Sequence, residues 1–216
     1  MRPRFAPDLY LVTDRVLYGA RGVENVVREA QAGGVTMVQL RDDATPIDEL
    51  TNLARRLVAL LAPAEVPLIV NNRVEVAAEA GAAGIHVGQT DVSPAFARDR
   101  LGPAAIVGLS ITDVAQLAKV EADQVDYLGV GPVFATATKL DAAPAMGLVG
   151  LAAVRAGTSL PIVAIGGIDR TNAAEVVAAG ADGIAVVSAI CAAASPRDAA
   201  RELAGLVAAA RQGGAS

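Results

Sequence analysis

Twice in this chain a helix-forming stretch ends in glycine and passes into apolar residues through nearly the same string. Ala80-Gly81-Ala82-Ala83-Gly84-Ile85 returns as Ala179-Gly180-Ala181-Asp182-Gly183-Ile184, and Gln31-Ala32-Gly33-Gly34-Val35 is a weaker copy. A glycine at that point ends a helix in a left-handed cap and allows a short turn into a strand. A repeated helix–glycine–strand unit implies βα modules and a parallel sheet.

The rest of the chain fits that unit. Aliphatic runs at 9–12, 37–40, 68–70, 85–87, 105–109, 127–130, 162–165 and 183–187 predict eight strands. All but the run with His86 show little internal alternation, as expected of strands buried on both faces. Between them, helices are predicted at 23–32, 47–61, 74–80, 94–101, 114–120, 151–156, 173–179 and 196–210, with Ser93 and Asp113 as N-caps. Eight βα units close into an α/β fold of the (β/α)8, or TIM-barrel, type, and 216 residues suit the compact end of its range. The expectation is a single barrel domain over 1–216, with 212–216 a disordered tail. The rival is a doubly wound open sheet. Its usual ligand signatures, G-x-G-x-x-G and G-x-x-x-x-G-K-[ST], are missing.

Composition narrows the function. Hydrophobic residues make up 53% and aromatics 3%, with no Trp, so the core is built from Ala, Val, Ile and Leu. A net charge of −5 without a basic run argues against nucleic acid. The single cysteine, Cys191, excludes an intrachain disulfide and reads as inert among its alanines. The longest apolar run, 183–194, is too short to span a bilayer. With no apolar leader pattern near Arg2, Arg4 and Asp8, the reading is a cytoplasmic protein with no membrane partner; homo-oligomerisation is left open.

In a barrel, chemistry belongs at the C-terminal ends of the strands. Gly166-Gly167 after the seventh strand and Val187-Ser188 after the eighth suggest a phosphate cup, where backbone N–H groups meet an anion; a plain tight turn is the alternative. The stretch 131–149 is the longest without a regular pattern and carries Thr136, Thr138 and Lys139, hydrogen-bond donors for an anion. Arg41 and Lys139 flank the same mouth. Asn72 and Asp91 offer hard oxygen ligands for magnesium, or else serve as loop caps. His86, the lone histidine, is read as a structural residue or a base. A Ser110–His86–Asp triad is open on composition, but no G-x-S-x-G turn supports it.

These residues, in order, resemble the thiamine-phosphate synthase family. The matching blocks are YLVTDR (10–15), VQLRDD (38–43), VNNRVEVA (70–77), GIHVGQTD (84–91), GLS (108–110), YLGVGPVFATATK (127–139), PIVAIGGI (161–168) and AGADGIAVVSAI (179–190). The resemblance implies a (β/α)8 transferase. It joins 4-amino-2-methyl-5-hydroxymethylpyrimidine diphosphate to 4-methyl-5-hydroxyethylthiazole phosphate, releasing pyrophosphate, with one magnesium ion per site. It assigns Gln39, Leu40, Arg41, Asp42, Asp43, Asn71, Ser110 and Lys139 to the pyrimidine diphosphate. Thr136, Ala137, Thr138, Gly167, Val187 and Ser188 fall to the thiazole phosphate, and Asn72 and Asp91 to the metal. Arg41, Lys139 and Ser110 are the implied catalytic groups. The family usually has Lys at position 43 and Asp at position 72. The formal charge around the leaving group is the same in both patterns provided Asp43 turns to solvent. A related thiazole tautomerase carries a His where this chain has Thr112. A non-catalytic binder of thiazole or thiamine phosphate is the third reading.

Overall fold

The structure is a computed structural model and describes residues 5–136, 138 and 143–213. Eight parallel strands, β1 Leu9–Val12, β2 Met37–Leu40, β3 Leu68–Asn71, β4 Gly84–Val87, β5 Ile106–Ile111, β6 Tyr127–Val130, β7 Ile162–Ile165 and β8 Gly183–Val186, close into a barrel in sequence order. Tyr10 lies opposite Met37 on one side and Ala185 on the other, so β1 seals the ring.

The helices are α1 Arg15–Tyr18, α2 Val23–Ala32, α3 Ile47–Leu61, α4 Val74–Ala80, α5 Pro94–Leu101, α6 Gly147–Ala156, α7 Ala173–Ala178, α8 Ser188–Cys191 and α9 Pro196–Gly213. Ser93 caps α5 through the Phe96 amide, with Pro94 in its first turn. The predicted helix at 114–120 is instead a 3-10 turn, Val114–Lys119, opened by a capping box between Asp113 and Gln116. Helix α9 continues three residues past the predicted end at 210 and takes in Gln212 and Gly213, expected as tail; 214–216 lie outside the described residues. Among the described residues no helix is long and apolar enough to cross a membrane.

The glycine repeat holds with one change. Gly81 caps α4 in the left-handed conformation and Gly180 has φ 108°. In the weaker copy, Gly33 is right-handed and Gly34 takes the positive φ. Gly33 serves packing: a Cβ there would lie 2.2 Å from the Arg197 carbonyl oxygen of α9.

Two apolar layers result. Leu9, Leu11, Val38 and Leu40 pack outward against the helices. Tyr10, Val12, Met37, Ile69, Ile106, Tyr127, Val163 and Ala185 fill the barrel itself. The lower end, at the N-terminal ends of the strands, is pinned twice by one device. Asp126, just before β6, accepts from the Val107 amide of β5 and pairs with Arg98 of α5 at 2.6 Å. Asp182, just before β8, accepts from the Ile162 amide of β7 and pairs with Arg155 of α6 at 2.9 Å. The upper end is left for function.

Candidate active site

A cavity of about 520 Å³ opens at the C-terminal ends of the strands. It gathers most of the residues singled out in the sequence: Gln39, Arg41, Asp43 and Asn71; Asn72, Asp91 and Ser110; Thr136, Thr138, Gly167, Val187 and Ser188. Two do not join them. Leu40 alternates with Gln39 on β2 and so faces the helices. Asp42 accepts from the Ala44 and Thr45 amides and from the Thr45 hydroxyl at 2.7 Å, stapling its own turn. Burial pushes its carboxyl up, but these bonds, helped by the Arg15 charge, hold it below the usual aspartate range. Ala137 and Lys139 lie outside the described residues.

One wall is lined by glycine. Gly166 and Gly167 have φ 101° and 63°. A Cβ on Gly167 would lie 2.6 Å from the Ala135 carbonyl oxygen, and one on Gly166 2.5 Å from Pro132. These glycines are therefore required by their own backbone and by the segment packed on them, as well as by any approaching ligand. That segment is tied to β7 through Val133 N to Ile165 O and Phe134 N to Gly166 O, at 2.9 and 3.0 Å. Ser188, also at the cavity, opens the one-turn helix α8, whose Ile190 and Cys191 amides close onto the Val187 carbonyl.

The rim after β1 and β2 is charged. Arg41 donates to Asp14 at 3.1 Å, and Asp14 in turn accepts from the Val16 and Leu17 amides. Asp43 is exposed at the rim of the cavity, and its backbone carbonyl accepts from Arg73 at 3.1 Å. Asp14 and Arg73 are partners that the sequence does not reveal. Both follow a strand, but no sequence spacing pairs them with residues 27 and 30 positions away.

Asn72 has φ 40°, and its amide nitrogen donates to Asp91 at 3.1 Å; the second Asp91 oxygen accepts from the Gly88 amide at 2.7 Å. A half-turn of the Asn72 amide would put its oxygen beside the carboxylate. One carboxylate and one amide oxygen are too few to enclose an ion. They fit a divalent cation completed by water and a substrate phosphate. Among the described residues no cluster of three His, Cys, Asp or Glu offers a fuller cage.

His86 and Ser110 do meet, with Nε2 2.9 Å from Oγ, but Nδ1 faces the Tyr127 hydroxyl at 2.9 Å where a triad needs a carboxylate. Thr112 is engaged with Gln116 and supplies no acid–base group. Cys191 is buried, which pushes its thiol up to about 11 and keeps it unreactive.

A barrel whose upper mouth joins a glycine-lined turn to a carboxylate–amide pair and an arginine has the form of an enzyme of phosphorylated small molecules. The comparisons narrow the class. Residues 9–190 match the family model described as thiamine monophosphate synthase. The chain is 51% identical over 199 residues to the thiamine-phosphate synthase of Azorhizobium caulinodans, covering 92% of this chain and 94% of that protein. It is 54% identical over 207 residues to that of Xanthobacter autotrophicus, covering 96% and 98%. The solved thiamine phosphate pyrophosphorylase from Pyrococcus furiosus superposes with a TM-score of 0.86 at 35% identity, covering 95% and 97%. This chain belongs to the thiamine monophosphate synthase family.

Proposed function

We propose that the chain condenses 4-amino-2-methyl-5-hydroxymethylpyrimidine diphosphate with 4-methyl-5-hydroxyethylthiazole phosphate, giving thiamine phosphate and pyrophosphate. The observation that supports this is one cavity lined both by Gly166, Gly167 and Ser188 and by Arg41, Asn72 and Asp91. Two phosphorylated substrates need two such places.

In the reaction, the bond from the pyrimidine methylene carbon to the diphosphate oxygen breaks and its electron pair leaves with pyrophosphate. The thiazole nitrogen then donates its lone pair to the methylene carbon. No redox partner is consumed, and bond breaking precedes bond making. Such a step depends on charge stabilisation at the leaving group and on alignment. Arg41 meets the diphosphate from the rim, its orientation held by Asp14. Lys139, by family resemblance, adds a second charge there. Gln39, Asn71 and Ser110 hold the pyrimidine; Thr136, Thr138, Gly167, Val187 and Ser188 hold the thiazole phosphate. Asn72 and Asp91 would hold magnesium, which supplies positive charge to the leaving pyrophosphate when bound. The setting for these soluble substrates is the cytoplasm.

The test is pyrophosphate release by purified protein. The expected result is release only with both substrates and magnesium together. Isomerised thiazole without pyrophosphate would favour the tautomerase, and saturable thiazole phosphate binding with no product would favour the non-catalytic binder. The engaged Thr112 weighs against the tautomerase.

A further inference from the structure

Beneath the cavity lies a run of hydrogen bonds that the reaction above leaves unexplained. Gln39 Nε2 donates to Tyr10 Oη at 3.0 Å. Tyr10 Oη is 3.0 Å from Tyr127 Oη, which is 2.9 Å from His86 Nδ1. His86 Nε2 is 2.9 Å from Ser110 Oγ. The five residues come from β2, β1, β6, β4 and β5, so the run crosses the barrel interior. Two glycines make room for it. A Cβ on Gly108 would lie 2.2 Å from Tyr127 Cζ and 2.5 Å from His86 Nδ1, and one on Gly129 would lie 2.7 Å from His86 Cε1.

A hydroxyl has one proton to give, and that sets a direction. Tyr10 Oη receives the Gln39 amide proton, and its own proton, buried away from water, is satisfied by Tyr127 Oη. Tyr127 then gives its proton to His86 Nδ1. A neutral imidazole receiving there carries its proton on Nε2 and donates to Ser110 Oγ. The Ser110 proton is left for the cavity, and Gln39 retains its carbonyl oxygen. Burial keeps both phenols protonated, as the run requires.

We infer that this run holds His86 in the Nε2–H tautomer and makes the site present an acceptor at Gln39 and a donor at Ser110, selecting a ring with an amino group beside a ring nitrogen. The selection rests on the pyrimidine reading above; the tautomer does not. An oxo analogue offers the opposite order, a carbonyl acceptor beside a ring N–H. Without reversing the run, the site meets it only with the second Gln39 amide proton and the second Ser110 lone pair, in place of the carbonyl oxygen and hydroxyl proton that the run leaves for the cavity. His86, Tyr10 and Tyr127 are thus positioning residues acting through Ser110 and Gln39.

Two measurements test this. The chain has one histidine, so long-range proton–nitrogen correlation on protein labelled with 15N-histidine reads a single imidazole. Near pH ~8, where a free imidazole is neutral, Nε2 should carry the proton and Nδ1 should be bare. A proton on Nδ1, or an equal mixture, overturns the direction whether or not the protein is active. The second measurement compares kcat/KM for the amino pyrimidine diphosphate with inhibition by its 4-oxo counterpart, in wild type, Tyr10→Phe, Tyr127→Phe and the double variant. Wild type should favour the amino ring by about a hundredfold. Either single variant should reduce that to about tenfold, with the thiazole phosphate KM unchanged. The double variant should lose nothing more, because one gap already uncouples the ends. Unchanged selectivity in both single variants, or multiplied losses in the double, would overturn the selection while wild-type pyrophosphate release keeps the function standing. Absent release in wild type would overturn the function and with it the selection, leaving the tautomer to the nitrogen spectrum. If Tyr127→Phe does not fold, Tyr10→Phe alone decides the selectivity.

Discussion

Asn72 occupies left-handed backbone, which Asn and Asp tolerate better than other side chains, and this turns its amide onto Asp91. An aspartate there would keep the backbone but replace a 3.1 Å hydrogen bond with two facing carboxylates. Asn72→Asp should therefore lose about 1 kcal/mol without metal, or ~3 °C in Tm, through like-charge repulsion. Magnesium should restore the loss and bind about tenfold more tightly, since ligand charge tunes affinity at such sites. Thermal melts with and without magnesium, beside titration calorimetry, check this. A Tm deficit indifferent to magnesium would show that the pair is a loop staple and not a metal site. Asp43 bears on the same charge balance. It lies at the rim with the Arg73 guanidinium on its backbone carbonyl, so a cation stands beside it.

At the scale of elements, the strands were the most legible part. Continuous aliphatic runs need no partner to be recognised, and each observed strand lies within two residues of its expected place. Four-residue helices such as α1 and α8 left no trace, because one turn carries no periodicity. Asp14, which caps α1, read only as a polar residue after a strand. The site was legible where a residue follows a strand directly, as with Arg41 and Ser188. It was illegible where partners come from distant strands: Tyr10 and Tyr127 stand 117 positions apart and look like ordinary core aromatics. The paired lower clamps had the same fault, although their environments separate them clearly. The Asp126 and Arg98 side chains are 3% and 13% exposed, whereas Asp182 is 44% exposed. Asp126→Ala should cost about 3 kcal/mol, because it strands a buried guanidinium. Asp182→Ala should cost about 1 kcal/mol in a more solvated pair. Urea unfolding of the two variants reads both values, and equal losses would contradict this ranking.

For the whole molecule, the division of labour between the two ends of the barrel implies a particular response to alkali. Burial is the main cause that raises Tyr10 and Tyr127 above the ordinary tyrosine value, against hydrogen bonds that pull Tyr10 down. A group whose folded value is raised favours the fold in its protonated form. That stabilisation is complete below the unfolded value near pH ~10 and is lost as the pH climbs from there toward the folded values. The expected outcome is cooperative unfolding above pH ~10, with the tyrosinate absorbance of the buried pair rising together with loss of circular dichroism. Full tyrosinate absorbance in a still-folded barrel would refute it.

The same buried pair gives the molecule an optical character. The chain contains no tryptophan and three tyrosines, two of which lie under the cavity with their hydroxyls joined. Its intrinsic emission is therefore tyrosine emission, and two of its three emitters line the cavity. A ligand settling on Gln39 and Ser110 touches both ends of the hydrogen-bonded run that contains them. Occupancy of the site can thus be followed in the unlabelled protein, by excitation of its own phenols, without an introduced dye.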